Sequence, residues 1–249
     1  MLWKCHQASI YIYQYIDDIL VGGDNKEQVG QVAEAIWNLL TKNGLDIPPS
    51  KCQGPGQEIK FLGAWWIAGA VAVPDDTLSA IEKGQTPGNK TELQQLLGTL
   101  GYWRKHIPGF SVIARPLYDL LRKNREWDWT LQHTEALNIL KDEFKAYQRL
   151  GPLHPRDPLK VEWGFAAHAL YCSVFQKGPR GLARPLLFSS TSFKETEQRY
   201  SDWEKGVLSL TRVVKEAEKL RTLQDVIAQG PFPLLNSILN GLLPPEGVA

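Results

Sequence analysis

Ile10-Tyr11-Ile12-Tyr13-Gln14-Tyr15-Ile16-Asp17-Asp18-Ile19-Leu20-Val21-Gly22 is the stretch on which the fold turns. Ile10 to Tyr15 and Ile19 to Gly22 are rich in β-branched and aromatic residues and flank a polar pair, which predicts a tight hairpin with Asp17 and Asp18 at its tip. Adjacent aspartates there put two carboxylates within reach of one divalent cation, the hard oxygen ligands that magnesium and manganese require. An ordinary Asp-rich turn is the alternative, since Tyr-any-Asp-Asp arises by chance in roughly a few per cent of chains this long, and the apolar strands on either side strengthen the metal-site reading.

Outward from the hairpin, Asn25 and Gln28 have the spacing of a capping box. Val29, Val32, Ala33, Ile36, Leu39 and Leu40 then recur at helical spacing until Asn43-Gly44. Leu45 to Ile47 and Ile59 to Leu62 predict short strands, and Trp65 to Ile67 with Val71 to Val73 predict a second hairpin around Gly69. Pro74 to Asn89, with Gly84, Pro87 and Gly88, predicts a loop and a domain boundary. Asn89 and Glu92 open a helix whose stripe is Leu93, Leu96, Leu97 and Leu100, and further helices are expected over Val112 to Arg122 and Thr130 to Arg149. A proline-rich linker at 151–158 precedes strands at Lys160 to Gly164, Leu170 to Gln176 and Pro185 to Ser189. A helix capped by Ser201 and Glu204 then runs to about Leu220. The domains expected are 1–75, 76–150 and 151–249, in an α+β chain.

With 249 residues, 43% of them hydrophobic, the chain can bury one large core or two to three small ones. A net charge of +1 excludes a globally basic protein and leaves room only for a local patch. Such a patch exists between Lys90 and Arg125, where seven Lys or Arg meet two acids, Glu92 and Asp119, and a phosphate backbone is its natural partner. On the helix from Asn89, Gln94, Gly98 and Tyr102 fall four residues apart on a face different from the leucine stripe, a track suited to a duplex minor groove or to nothing more than solvent. Cys5, Cys52 and Cys172 are too few and too scattered for a zinc quartet or a disulfide framework. They are expected to be packed thiols of a protein in a reducing compartment, cytoplasmic or nuclear. Neither a signal peptide nor a membrane span is expected.

Several motifs in order resemble retroviral reverse transcriptases: Tyr15-Ile16-Asp17-Asp18, then Pro49-Ser50-Lys51, then Phe61-Leu62-Gly63. Leu93 to Gly109, read through Gly98, Trp103, His106 and Pro108-Gly109-Phe110, matches the thumb pattern of that family, and Arg115-Pro116-Leu117-Tyr118 and Trp127-Asp128-Trp129 extend it. The match covers about Ile12 to Gly241 and is closest to L-type endogenous retroviruses related to foamy viruses. The resemblance implies the carboxy-terminal part of a palm, a helical thumb and a ribonuclease H-like connection domain. It implies RNA-directed DNA polymerase chemistry by descent, with Asp17 and Asp18 as catalytic metal ligands for magnesium or manganese. Tyr15 and Lys51 would lie near the deoxynucleoside triphosphate, Phe61, Leu62, Gly63, Trp65 and Trp66 would form a primer grip, and Gln94, Gly98, Tyr102, Arg104 and Lys105 would meet an RNA:DNA or DNA template-primer. Read without the family, Lys51 is equally a solvated loop lysine.

Two features limit the activity that the resemblance implies. Ribonuclease H chemistry needs several carboxylates converging on magnesium, yet Gly164 stands at the place of the first and Glu204-Lys205-Gly206 replaces Glu-Lys-Glu on the helix, while Gln229 to Leu235 adds no aspartate. Nuclease activity is therefore not expected. In the family another metal-binding Asp comes from a strand far upstream, but fourteen residues precede Tyr15 and Leu2 to Ser9 matches nothing. That pattern suggests a start codon inside a decayed element or a spliced or misannotated exon, hence a chain inactive and poorly soluble by itself unless a second chain completes the palm. A noncatalytic duplex-binding or protein-binding module is the alternative.

Overall fold

The computed structural model describes residues 10–154, 156–178, 181–220, 226–233 and 235–236. Cys5 lies outside them. The chain forms two compact units, Met1–Pro74 and Asp75–Ala249.

In the first unit β1 (Ile10–Tyr15) and β2 (Asp18–Gly23) pair antiparallel, with Ile12 opposite Val21 and Tyr15 opposite Asp18. Helix α1 (Lys26–Lys42) follows, and the Asn25 side chain accepts hydrogen bonds from the Glu27 and Gln28 amides, as its N-cap position requires. None of its residues is buried, so its apolar stripe is only partly covered. The strand expected at Leu45 to Ile47 does not form. Pro48 and Pro49, which lack amide donors, instead lead into a 3-10 turn at Pro49–Lys51. β3 (Glu58–Phe61), β4 (Ala64–Ile67) and β5 (Ala70–Ala72) are a meander whose strands pair successively antiparallel.

The second unit opens with α2 (Asp75–Lys83), where the sequence had suggested a loop. Asp75 and Asp76 favour its amino end through the helix dipole, and Ile81 is buried. Lys141 donates to the Gly84 carbonyl at 2.8 Å and Lys145 pairs with Glu82 at 2.6 Å, so α2 is held from a helix nearly sixty residues later. α3 (Lys90–Tyr102) has Asn89 as its N-cap and buries Leu93, Leu97 and Leu100. The single helix expected over Val112 to Arg122 is two, α4 (Phe110–Ile113) and α5 (Arg115–Leu120), since Pro116 suits the first turn of a helix and not its interior. α6 (Leu131–Ala146) ends earlier than expected, at Tyr147, and Arg149–Leu150 is a short strand, β6. Each leucine fully buried in this helical layer contributes roughly 1.5–3 kcal/mol relative to exposure.

β7 (Leu159–Phe165), β8 (Ala169–Lys177) and β9 (Ala183–Ser192) are consecutive antiparallel strands. After the short α7 (Glu195–Gln198) and the long α8 (Asp202–Glu218), β10 (Val226–Gln229) returns parallel to β7, giving the order β10-β7-β8-β9. β10 was not anticipated. α8 covers the sheet, and Val161, Val174, Leu210 and Val213 form the centre of that core. The proline-rich linker is anchored: Gln176, buried, donates to the His154 and Asp157 carbonyls and accepts from the His154 amide. Among the described residues no helix is long and apolar enough to cross a membrane.

Candidate catalytic hairpin and nucleic-acid interface

The Tyr15–Asp18 pair closes a two-residue loop, Ile16-Asp17, and Gln14 donates from its side chain to the Ile16 carbonyl at 3.2 Å. Ile16 is 74% exposed and has φ 51°, a left-handed conformation that β-branched residues rarely adopt. Asp17 is thus a loop residue, whereas Asp18 begins β2; both are exposed. Their carboxylates are the right donors for a hydrated magnesium or manganese ion whose shell is completed by water and phosphate. Among the described residues no group of three or more His, Cys, Asp or Glu side chains is placed to hold a metal ion. The donor set fits one ion in kind and falls short of a two-ion site in number.

In the same unit, Lys51 is exposed at the end of the Pro49–Lys51 turn. The side chain of Gln53 accepts from the Lys60 amide and donates to the Lys60 carbonyl, pairing with β3 where a strand would otherwise stand. Phe61 and Ala64 close a second two-residue loop, in which Leu62 and Gly63 both have positive φ, 51° and 74°. Two successive positive values define the hairpin turn whose twist matches the strands, and the second is easily met by a residue without Cβ. Trp65 and Trp66 follow on β4 opposite Ala72 and Val71. The Asp hairpin and this one are separate sheets of one unit.

In the second unit, the face of α3 opposite its leucine stripe is open. Gln94, Gly98 and Tyr102 are exposed, Tyr102 by 62%, and a Cβ added at Gly98 would meet no heavy atom within 4 Å. The basic stretch is only partly available. Lys90 donates from Nζ to the carbonyls of Arg122 and Arg125, while Arg115 and Arg122 both pair with Asp119 at 2.9 Å. Arg104 donates to the Ser190 carbonyl at 3.0 Å. Lys105, Lys123 and Arg125 have neither an ion pair nor a side-chain hydrogen bond among the described residues, so fewer basic side chains are free to reach a phosphate than the sequence count suggested.

At Gly164 and Gly206, where the sequence reading expected missing carboxylates, the space a side chain would take is filled by neighbours. A Cβ built on Gly164 would lie 2.5 Å from the Tyr171 hydroxyl, directly across the β7–β8 ladder, and one on Gly206 would lie 2.6 Å from the Phe232 ring. Phe232 also stacks on Phe165 and meets Trp203 edge-on, so an aromatic cluster occupies the space beside α8. Glu204 is the third residue of the capping box that Ser201 opens: it accepts from the Ser201 amide and hydroxyl, and these bonds hold its carboxyl below the usual range. The sequence signalled the glycines but not Tyr171 and Phe232, whose positions come from strand register and chain return. Of the thiols, Cys172 is buried and pushed up to about 12 by burial, whereas Cys52 is exposed, contrary to the expectation that both would be packed.

Residues 1–66 match a family described as reverse transcriptase (RNA-dependent DNA polymerase), and residues 129–227 match the RNase H-like domain found in reverse transcriptase. The Gag-Pol polyprotein of Koala retrovirus is 25% identical over 240 residues, covering 93% of this chain and 14% of that protein. The transposon Tf2-3 polyprotein of Schizosaccharomyces pombe is 26% identical over 206 residues, 82% of this chain and 15% of the relative. The chain therefore spans about a seventh of the polyproteins it matches. Two solved structures share the fold: a foamy viral protease-reverse transcriptase in complex with RNA/DNA hybrid (TM-score 0.72, 24% identity, 89% of this chain and 30% of that one) and a dRH form with double-stranded DNA (TM-score 0.73, 22% identity, 96% and 42%).

Proposed function

Since the chain belongs to the reverse transcriptases encoded by retroviral and retrotransposon polyproteins, we propose that it binds a template-primer duplex, RNA:DNA or DNA, and carries part of a nucleotidyl-transfer site that it does not complete by itself. The open face of α3 supports this reading most directly. Gln94 offers an amide, Tyr102 an aromatic face and Gly98 room for close approach, with Lys105 beside them for phosphate. On the first unit Asp17 and Asp18 hold a divalent ion, Tyr15 and Lys51 lie toward a deoxynucleoside triphosphate, and Phe61, Leu62, Gly63, Trp65 and Trp66 guide the primer end.

The metal, when bound, supplies charge stabilisation at the transferring phosphate. Two carboxylates are a weak cage for it, and each lost decade of rate corresponds to about 1.4 kcal/mol of barrier. Hydrolysis of RNA by the sheet of the second unit is excluded from the proposal, because aromatic rings fill the space beside Gly164 and Gly206. The test is fluorescence anisotropy with an RNA:DNA hybrid over a salt series, together with primer extension on an RNA template in magnesium. Salt-sensitive binding without extension is expected. Binding that is absent or independent of salt would remove the duplex reading. Extension abolished by Asp17→Asn would replace inactivity with an intact polymerase.

A further inference from the structure

Arg104 stands two residues beyond the duplex-facing Tyr102, in a 3-10 turn (Arg104–His106) that continues α3, and its guanidinium is already engaged. Nη2 donates to the carbonyl of Ser190, 86 residues later on β9, at 3.0 Å. Among the described strands β9 pairs only with β8, so its other edge needs partners for its backbone groups. Ser190 is 3% exposed. Its hydroxyl accepts from the Ser111 amide at 2.8 Å and donates to the Ser111 hydroxyl at 3.1 Å, tying the first turn of α4 to the same point. A third tie lies between them in sequence: buried His106 donates from Nδ1 to the Tyr147 carbonyl at 2.8 Å, with its ring edge-on to Trp103. Further along the edge, the Gly151 amide donates to the Pro185 carbonyl.

From this arrangement we infer that Arg104 is a positioning residue and not a phosphate ligand: with Ser190 and Ser111 it clasps the carboxyl end of α3 to the edge of β9, so that the helical layer and the ribonuclease H-like sheet act as one body beneath the duplex. The inference rests on the duplex reading for its functional consequence. Lys105, the next residue, forms no ion pair among the described residues and is the phosphate ligand of this turn. A phosphate contact contributes about one unit to the slope of log affinity against log salt, and a positioning residue contributes none.

The experiment measures hybrid affinity at several salt concentrations for the full chain and for Arg104→Gln, Lys105→Gln and Ser111→Ala, alongside native-state hydrogen exchange of the 103–112 amides. Lys105→Gln is expected to flatten the slope by about one unit. Arg104→Gln is expected to weaken binding about tenfold at every salt concentration with the slope unchanged, and to speed exchange of the 103–112 amides by a similar factor, the scale of one charged hydrogen bond. Ser111→Ala should change both readouts in the same direction. A slope flattened by Arg104→Gln, or an affinity it leaves unchanged, overturns the inference. If the unmodified chain binds no hybrid, the duplex reading fails separately, and exchange decides the clasp: faster exchange in Arg104→Gln supports it, and unchanged exchange overturns it.

Discussion

Gly98→Ala separates what α3 needs for its own stability from what a duplex would need of it. Gly98 lies in the interior of α3, its φ is negative, and an added Cβ has open space. Alanine there removes the excess backbone freedom of glycine from the unfolded chain, which should stabilise the second unit by about 1 kcal/mol, the usual glycine penalty in a helix. The thermal midpoint would rise by roughly 2–4 °C for a unit of this size. If the face of α3 seats against a minor groove, the same methyl is an intrusion into a close interface, and the low end of overpacking costs is about 1 kcal/mol, or roughly fivefold in affinity. Gly98→Gln, with more to displace, should cost more in binding and still fold. Calorimetry and hybrid-binding anisotropy on the same preparations give the two numbers. A variant that melts higher and binds the hybrid as tightly as the parent would refute the argument that Gly98 faces a duplex. A variant that melts lower would refute the open face itself.

Alanine at Gly230 just after β10, at Gly206 in α8 and at Gly164 in β7 should destabilise in that order, checked by denaturant midpoints. The Gly230 Cβ would enter the buried ring of Trp163, the Gly206 Cβ would press on Phe232, and the Gly164 Cβ meets only the mobile far end of half-exposed Tyr171, with about 1–3 kcal/mol at stake for the first two. Stability should fall with acid: burial pushes the His106 imidazole below its ordinary value, so the unfolded chain takes up the proton first, and the stability that is complete above pH ~6.5 declines as pH drops toward the folded-state value. His133 shifts in the same direction, so His106→Gln should flatten the decline between pH 7.5 and 5.5 in thermal melts without abolishing it. In a Cys5→Ser background, a thiol reagent should modify Cys52 at once and Cys172 only on unfolding; rapid modification of two thiols in the native protein would contradict the buried, protonated state of Cys172.

What could be read from the letters was local. Asn25, Asn89 and Ser201 announce helix starts because a cap acts within three residues, and the hairpins that carry Asp17 and Gly69 follow from alternation and turn chemistry in a dozen residues, whereas the turn at Leu62-Gly63 was not read. What was missed depends on distant partners. Asp75 to Lys83 looked like a loop because its apolar content is thin, and the ties that hold it come from Lys141 and Lys145. β10 is four residues long and is a strand by virtue of β7 beside it. The basic stretch was overcounted for a related reason: whether an arginine is free is settled by Asp119 and by the Ser190 carbonyl, and neither distance can be seen in a charge tally.

The same dependence on partners governs Gly164 of β7 and Gly206 of α8, where the sequence reading had expected the missing carboxylates. Losing a metal ligand need only leave a polar gap. Here the space is occupied by Tyr171 from the facing strand and by Phe232, itself packed between Phe165 and Trp203. Restoring a glutamate at Gly206 would require moving the Phe232 ring, which packs against the core, whereas an aspartate at Gly164 would displace only the exposed end of Tyr171, so Gly206→Glu should lower stability more than Gly164→Asp. The sheet is therefore packed as a structural partner for the helical layer whose edge contacts Arg104 and Ser111 supply. The α3 face is left exposed, whereas the space beside Gly206 is filled by an aromatic cluster.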